Sequence, residues 1–220
     1  MFENLTNGIN KIFDNLFSRG IVTQRDEWVY DFSKDTLEAK MRFCVDVYQR
    51  TFEDENYQER NQIKWDRELT KYLSQRISKV FNDANMLMSY YRPYTKQWLY
   101  FDKHFNGMTY QWYGIYKNEE LENRYIIIPG LASPKNFYNL ASSQIVDLNC
   151  LPAGCQCLPL YYYEKEGNRI DNITDWGLQQ FQNHYNDKTI TKLDIFHYTY
   201  AVLHYPEYRS KYELNLKREF

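Results

Sequence analysis

The spacing of apolar residues changes twice along this chain, and that switch limits the available folds more than any single motif does. After Ser33 the spacing is helical: Leu37, Met41, Val45, Tyr48 and Phe52 mark one face, with Asp35 and Glu38 in capping-box spacing. A second helix is predicted over about 65–81, burying Leu69, Leu73, Ile77 and Val80, and the polar link EDENYQERNQ makes the pair an antiparallel hairpin with an exposed turn. Short strand-like runs follow at 98–101, 109–113, 125–128 and 158–163. They are punctuated by Asn106-Gly107, Pro129-Gly130, Ser133-Pro134 and Pro152-Ala153-Gly154. Helical spacing returns after Asn172. Trp176, Phe181 and Tyr185 seed one helix, and Thr191 and Asp194 cap a second that points Ile195, Tyr198, Val202 and Leu203 inward. Pro206 opens a third. This order predicts an α+β fold: a helical hairpin, a small mixed or antiparallel sheet, then a C-terminal helical cluster. Residues 5–19 carry Ile9, Ile12, Phe13, Leu16 and Phe17 at helical spacing, so 1–32 read as an arm or the tail of a preceding domain. Residues 33–89 read as a helical spacer and 90–220 as the α+β domain.

A chain of 220 residues is long enough to bury a real core. Its longest apolar runs fall far short of the roughly 20 residues a membrane helix needs, and the first residues lack an apolar signal core. A cytoplasmic location is expected by default, with no membrane partner. Four cysteines in a chain this long make no disulfide framework. The C-x4-C-x-C cluster of Cys150, Cys155 and Cys157 has the wrong spacing for the common zinc knuckles and no nearby histidine, so these residues read as small buried hydrophobes. A formal net charge of −2 argues against an indiscriminate nucleic-acid binder.

Charge is nevertheless segregated along the chain. Residues 90–111, YYRPYTKQWLYFDKHFNGMTYQ, hold eight aromatic and three basic side chains against one acid, Asp102. Cations neutralise phosphates while aromatics and amides stack on bases or meet their edges, so the stretch suits a polyanion with planar bases. The same aromatics are also what a sheet uses for its core. Arg92, Lys96, Gln97, Lys103, His104 and Gln111 are the candidate DNA contacts here. Ser133, Lys135, Asn136, Arg169 and Asn172 offer more from other loops. A single residue of this kind more often solvates a surface or holds a phosphate than reads a base.

Catalytic signatures are missing. The four histidines form no H-E-x-x-H pattern, no G-x-S-x-G elbow occurs, and Ser142-Ser143 has no identifiable base. The loop after residues 125–128, PGLASPK, lacks the glycines and lysine placement of a phosphate-binding loop, and Pro134 interrupts any helix there. No cofactor-cradling G-x-G and no N-P-P-Y signature of an amino-methyltransferase is present.

Five segments in series do carry a resemblance: SRGIVTQRDEWVYDFSKDTLEAKM at 18–41, YRPYTKQWLYFD at 91–102, GCQCLPLYYYE at 154–164, DNITDWGLQQFQNHY at 171–185 and TKLDIFHYTYAVLHYPEYRSKYELNLKREF at 191–220. In order and spacing they resemble the C-terminal target-recognition part of type ISP restriction-modification enzymes, single polypeptides with a nuclease, a translocating ATPase or helicase, an adenine DNA methyltransferase and a specificity domain. The resemblance implies that 90–220 form a target-recognition domain for double-stranded DNA. It implies no catalytic residue and no cofactor in this chain, with S-adenosylmethionine, ATP and Mg serving the parent enzyme, and the methyltransferase domain of the same parent chain as a further partner. It also implies that 91–102, shared among members reading different targets, serves structure or phosphate contact, and that base reading falls to the loops at about 106–123 and 132–149. The competing expectation is a protein-interaction or structural module in which residues 33–81 pack on a neighbouring domain.

Overall fold

A computed structural model describes residues 11–14, 18–118, 121–131, 133, 134 and 136–218. Its elements begin with β1 (Ser18–Arg19), α1 (Asp26–Val29), β2 (Tyr30–Asp31), α2 (Lys34–Glu53), α3 (Arg67–Ser74), β3 (Met86–Arg92) and β4 (Thr95–Tyr100). There follow α4 (Trp112–Ile115), β5 (Tyr125–Ile128), β6 (Leu140–Ser142), β7 (Ile145–Val146), β8 (Gln156–Pro159), β9 (Tyr161–Tyr163) and β10 (Arg169–Asp171). The chain ends in α5 (Asp175–Tyr185), α6 (Lys192–His204), α7 (Pro206–Lys211) and α8 (Glu213–Arg218). The α+β class expected from the periodicity is the class observed. The elements form two compact units, residues 21–109 and residues 1–20 with 110–220.

In the 21–109 unit, α2 is the long amphipathic helix its spacing predicts. Ser33 caps it by accepting the Thr36 N–H at 3.2 Å, a role the sequence reading gave to the Asp35/Glu38 spacing, whereas Glu38 pairs with Arg42 one turn on. Leu37, Met41, Val45 and Tyr48 are buried, each contributing about 1.5–3 kcal/mol by leaving water. The second helix is much shorter than predicted. Asp66 caps α3 at Leu69, but the helix stops at Ser74 because Arg76 turns left-handed (φ 56°) and Ile77 N–H closes back on the Tyr72 carbonyl at 3.1 Å. Leu69 and Leu73 are buried as expected, while Val80 is 81% exposed. Strand β4 pairs antiparallel with both β2 and β3, setting Leu99 opposite Tyr30 and Leu87. Strand β3 itself was not foreseen. Tyr100 and Phe105 close the core with Tyr48, their rings about 6 Å apart edge to face.

In the other unit the sheet order is β1-β8-β5-β6, with every pair antiparallel, and β9 and β10 form a separate hairpin. The predicted strand at 158–163 is two strands, β8 and β9, divided at Leu160. The predicted strand at 109–113 is a turn and the short helix α4, whose Trp112 is buried with Nε1 donating to the Arg19 carbonyl at 2.8 Å. The proposed N-terminal helix lies mostly outside the described residues. Where described, Phe13 bridges to Ile173 and Ser18–Arg19 extend the sheet instead.

Ile126, Ile128, Leu158 and Leu160 form the core of this unit with Phe181, Ile195, Phe196 and Leu203 from α5 and α6. The capping box of α6 is present, Thr191 accepting from Asp194 N–H and Asp194 accepting from Thr191 N–H, and Pro206 opens α7. Tyr198, expected inside, is 38% exposed, and its place is taken by Phe196 and Thr199. All four cysteines are buried and unbridged, and Cys150, Cys155 and Cys157 are the small buried residues read from the sequence. Burial pushes the Cys44 thiol up to about 12 and Cys157 well above its ordinary value.

Candidate nucleic-acid interface

The β3–β4 hairpin carries the aromatic and basic stretch, and the pleat sorts it. Tyr90, Leu99, Tyr100, Phe101 and Phe105 are buried, so four of the eight aromatics serve the core. Lys96 is exposed, and among the described residues no carboxylate lies within ion-pair distance of it. Trp98, half-buried, lies under Lys34 Nζ, 4.9 Å from its ring centre. Gln97 is half-buried opposite Ser89, and Lys103 is exposed just beyond the strand.

Two of the candidates in this stretch are engaged within the unit. Arg92 lies over its neighbour Tyr91 (3.8 Å), donates to the Tyr91 carbonyl at 2.7 Å and meets Asp26 at 3.6 Å. His104 packs its ring against Tyr72 at 4.2 Å, with Nδ1 3.3 Å from Asp102. Asp102 also accepts from Lys79 Nζ at 3.0 Å and Asn85 Nδ2 at 3.2 Å. Burial, reinforced by Lys79, holds the His104 ring below the ordinary histidine value, so it is neutral at pH 7.

In the other unit, Gln111 and Asn136 are exposed, and Arg169 is exposed with its guanidinium 4.3 Å from the Tyr161 ring centre on the β9–β10 hairpin. Ser133 is buried. Asn172 is buried and structural, its Nδ2 donating to the Pro159 carbonyl at 2.8 Å, which removes it from the recognition candidates. Lys135 lies outside the described residues. The two loops expected to read bases are partly committed to the fold. Asn106 donates to the Tyr100 carbonyl at 3.3 Å, Asn123 to the Ile115 and Tyr161 carbonyls, and Asn139 accepts from Arg209 at 2.8 Å. Their exposed remainder includes Tyr110, Tyr113, Lys117, Asn118, Ser143 and Asn149. Sequence reasoning passed over Tyr94 and Lys34. Both sit beside a turn or a helix start, which composition alone does not mark as surface.

The fold and these surfaces define a binding domain, with cations, amides and aromatics displayed on hairpins and loops over an α+β scaffold. The chain belongs to the Type ISP C-terminal specificity domain family, whose model matches residues 11–220. Comparison with curated proteins finds no match. Among solved structures the chain is similar to a cryo-electron-microscopy structure of a DrdV–DNA complex, at 38% identity and a TM-score of 0.87, covering 98% of this chain and 22% of that one. A nuclease-deletion mutant of the Type ISP restriction-modification enzyme LlaGI, in complex with a DNA substrate mimic, matches at 25% identity and TM-score 0.80 over 99% of this chain and 20% of that one. The ATP-dependent Type ISP enzyme LlaBIII bound to DNA shares the fold at 24% identity and TM-score 0.85, over 99% and 15%. The chain therefore spans about a fifth of the length of the solved proteins it matches.

Proposed function

We propose that this chain recognises a short target in double-stranded DNA for a restriction-modification enzyme, and that other parts of the parent polypeptide methylate, translocate and cut. The observation that carries the reading is the specificity-domain match over residues 11–220 together with 38% identity to a protein solved as a DNA complex. Lys96, Lys103 and Arg169 are the phosphate contacts, being exposed cations, two on hairpins and Lys103 in the turn after β4. Gln97, Gln111, Lys135 and Asn136 are the candidates for base edges, since amides suit adenine and long cations suit guanine. Arg92 and His104 contribute by fixing the hairpin and the turn that follows it. S-adenosylmethionine, ATP and Mg belong to the parent enzyme, and the methyltransferase domain of the same polypeptide is the second partner.

With a net charge of −2 the chain has no general attraction for DNA, so affinity must come from a few local cations. Three phosphate contacts give a slope of about −2.7 in log affinity against log salt, roughly a fortyfold loss between about 50 and 200 mM salt. A fluorescence-anisotropy titration of a labelled duplex across that range checks this. No binding at the low end, or binding indifferent to salt, would sink the reading.

A further inference from the structure

The tip of the β3–β4 hairpin breaks two local rules at once. Arg92 pairs with Thr95, which leaves Pro93 and Tyr94 as a two-residue loop. Tyr94 sits there at φ 61°, a left-handed conformation that turns ordinarily give to Gly or Asn. The residue is 86% exposed, so the core gains almost nothing from it. A bulky aromatic kept where the backbone disfavours it and the fold does not need it points to work outside the fold.

The tip is also held firmly. The Tyr94 N–H donates to the hydroxyl of Tyr90, a buried residue, at 3.1 Å, and Arg92, at the end of β3, meets Asp26 at 3.6 Å and donates to the carbonyl of its neighbour Tyr91. Lys96 follows two residues later, exposed, and Lys34 caps Trp98 on the same strand. A planar ring projected from the turn beside the exposed Lys96 matches bases flanked by phosphates.

We infer, resting on the DNA reading above, that Tyr94 is an aromatic wedge that stacks against a base step of the bound duplex while Lys96 holds the adjoining phosphate. The whole 220-residue chain is titrated with a fluorescein-labelled random-sequence duplex, and with the same duplex carrying 2-aminopurine, using Tyr94→Phe, Tyr94→Gly, Tyr94→Ala and Lys96→Ala variants. Tyr94→Gly and Tyr94→Ala should weaken binding about tenfold or more with an unchanged salt slope, and should abolish the change in 2-aminopurine fluorescence that the parent chain produces on binding. Tyr94→Phe should bind as the parent does. Lys96→Ala should instead make the slope shallower by about 0.9. Melting of Tyr94→Gly at or above the parent temperature shows that the lost affinity is not lost folding, because glycine suits the turn. A parent chain that binds while Tyr94→Gly and Tyr94→Ala bind equally well overturns the wedge and leaves the DNA reading intact. A parent chain that fails to bind at low salt contradicts the DNA reading itself.

Discussion

Arg25 is the most demanding single residue in the 21–109 unit, a guanidinium only 1% exposed whose ion-pair partner is Asp66. Asp66 also caps α3 through the Leu69 N–H at 2.7 Å. Asp66→Asn keeps an oxygen for the cap but strands the buried cation, and should cost about 3–5 kcal/mol in denaturant unfolding. A variant as stable as the parent would show that the pair contributes little. His104 adds a pH dependence. Because its ring is harder to protonate folded than unfolded, the unfolded chain takes the proton first. The stability tied to the neutral ring is full above about pH 6.5 and is lost as pH falls through the lower folded value. The drop in urea midpoint between about pH 8 and pH 5 should therefore shrink in His104→Phe, and an equal drop in both proteins would refute the assignment. Gly130, in the small-residue loop after β5 that lacks the marks of a phosphate-binding loop, has a structural role. A Cβ there would lie 2.1 Å from the Ala153 carbonyl oxygen, and Gly130 N–H donates to the Pro152 carbonyl, so the glycine permits two backbones to touch. Gly130→Ala should destabilise by roughly 2 kcal/mol or more, read by thermal melting.

Elements with their own local signals were legible, and those whose ends depend on distant partners were not. The α6 capping box and the Pro206 start of α7 could be read from a few adjacent residues, because the bonds that make them are local. Thr191→Ala should accordingly lower stability by about 1 kcal/mol, measured by chemical denaturation, and a neutral outcome would mean that α6 is held by packing alone. The early end of α3 was hidden because Arg76, and not a glycine, takes the left-handed position, aided by a bond to the Phe52 carbonyl at 2.7 Å. Residues 109–113 have strand-like composition, but Tyr110 turns at φ 42° and Trp112 is drawn inside by the Arg19 carbonyl, a partner 93 positions away. Within the candidate interface, residue type identified Lys96, Lys103 and Arg169 as cations worth attention. Only the structure separates them from Asn172, which the Pro159 carbonyl holds in the core.

At the scale of the molecule, five segments in series pointed to the family, and the match over residues 11–220 agrees. The division into units was not legible, since it depends on Ser18 and Arg19 pairing with Cys157 and Gln156, and no periodicity announces a contact across so much chain. The candidate contacts fall in both units: Lys96 and Lys103 in one, Gln111, Asn136 and Arg169 in the other. A domain that only grips phosphates would hold all duplexes alike, whereas one that reads base edges discriminates by about 1–3 kcal/mol for each good contact. Repeated selection of duplexes from a randomised library by the 220-residue chain, followed by sequencing, tests this most directly. Enrichment of one short motif is expected, with affinity falling when its positions are changed singly. A bound pool as random as the starting library would contradict it.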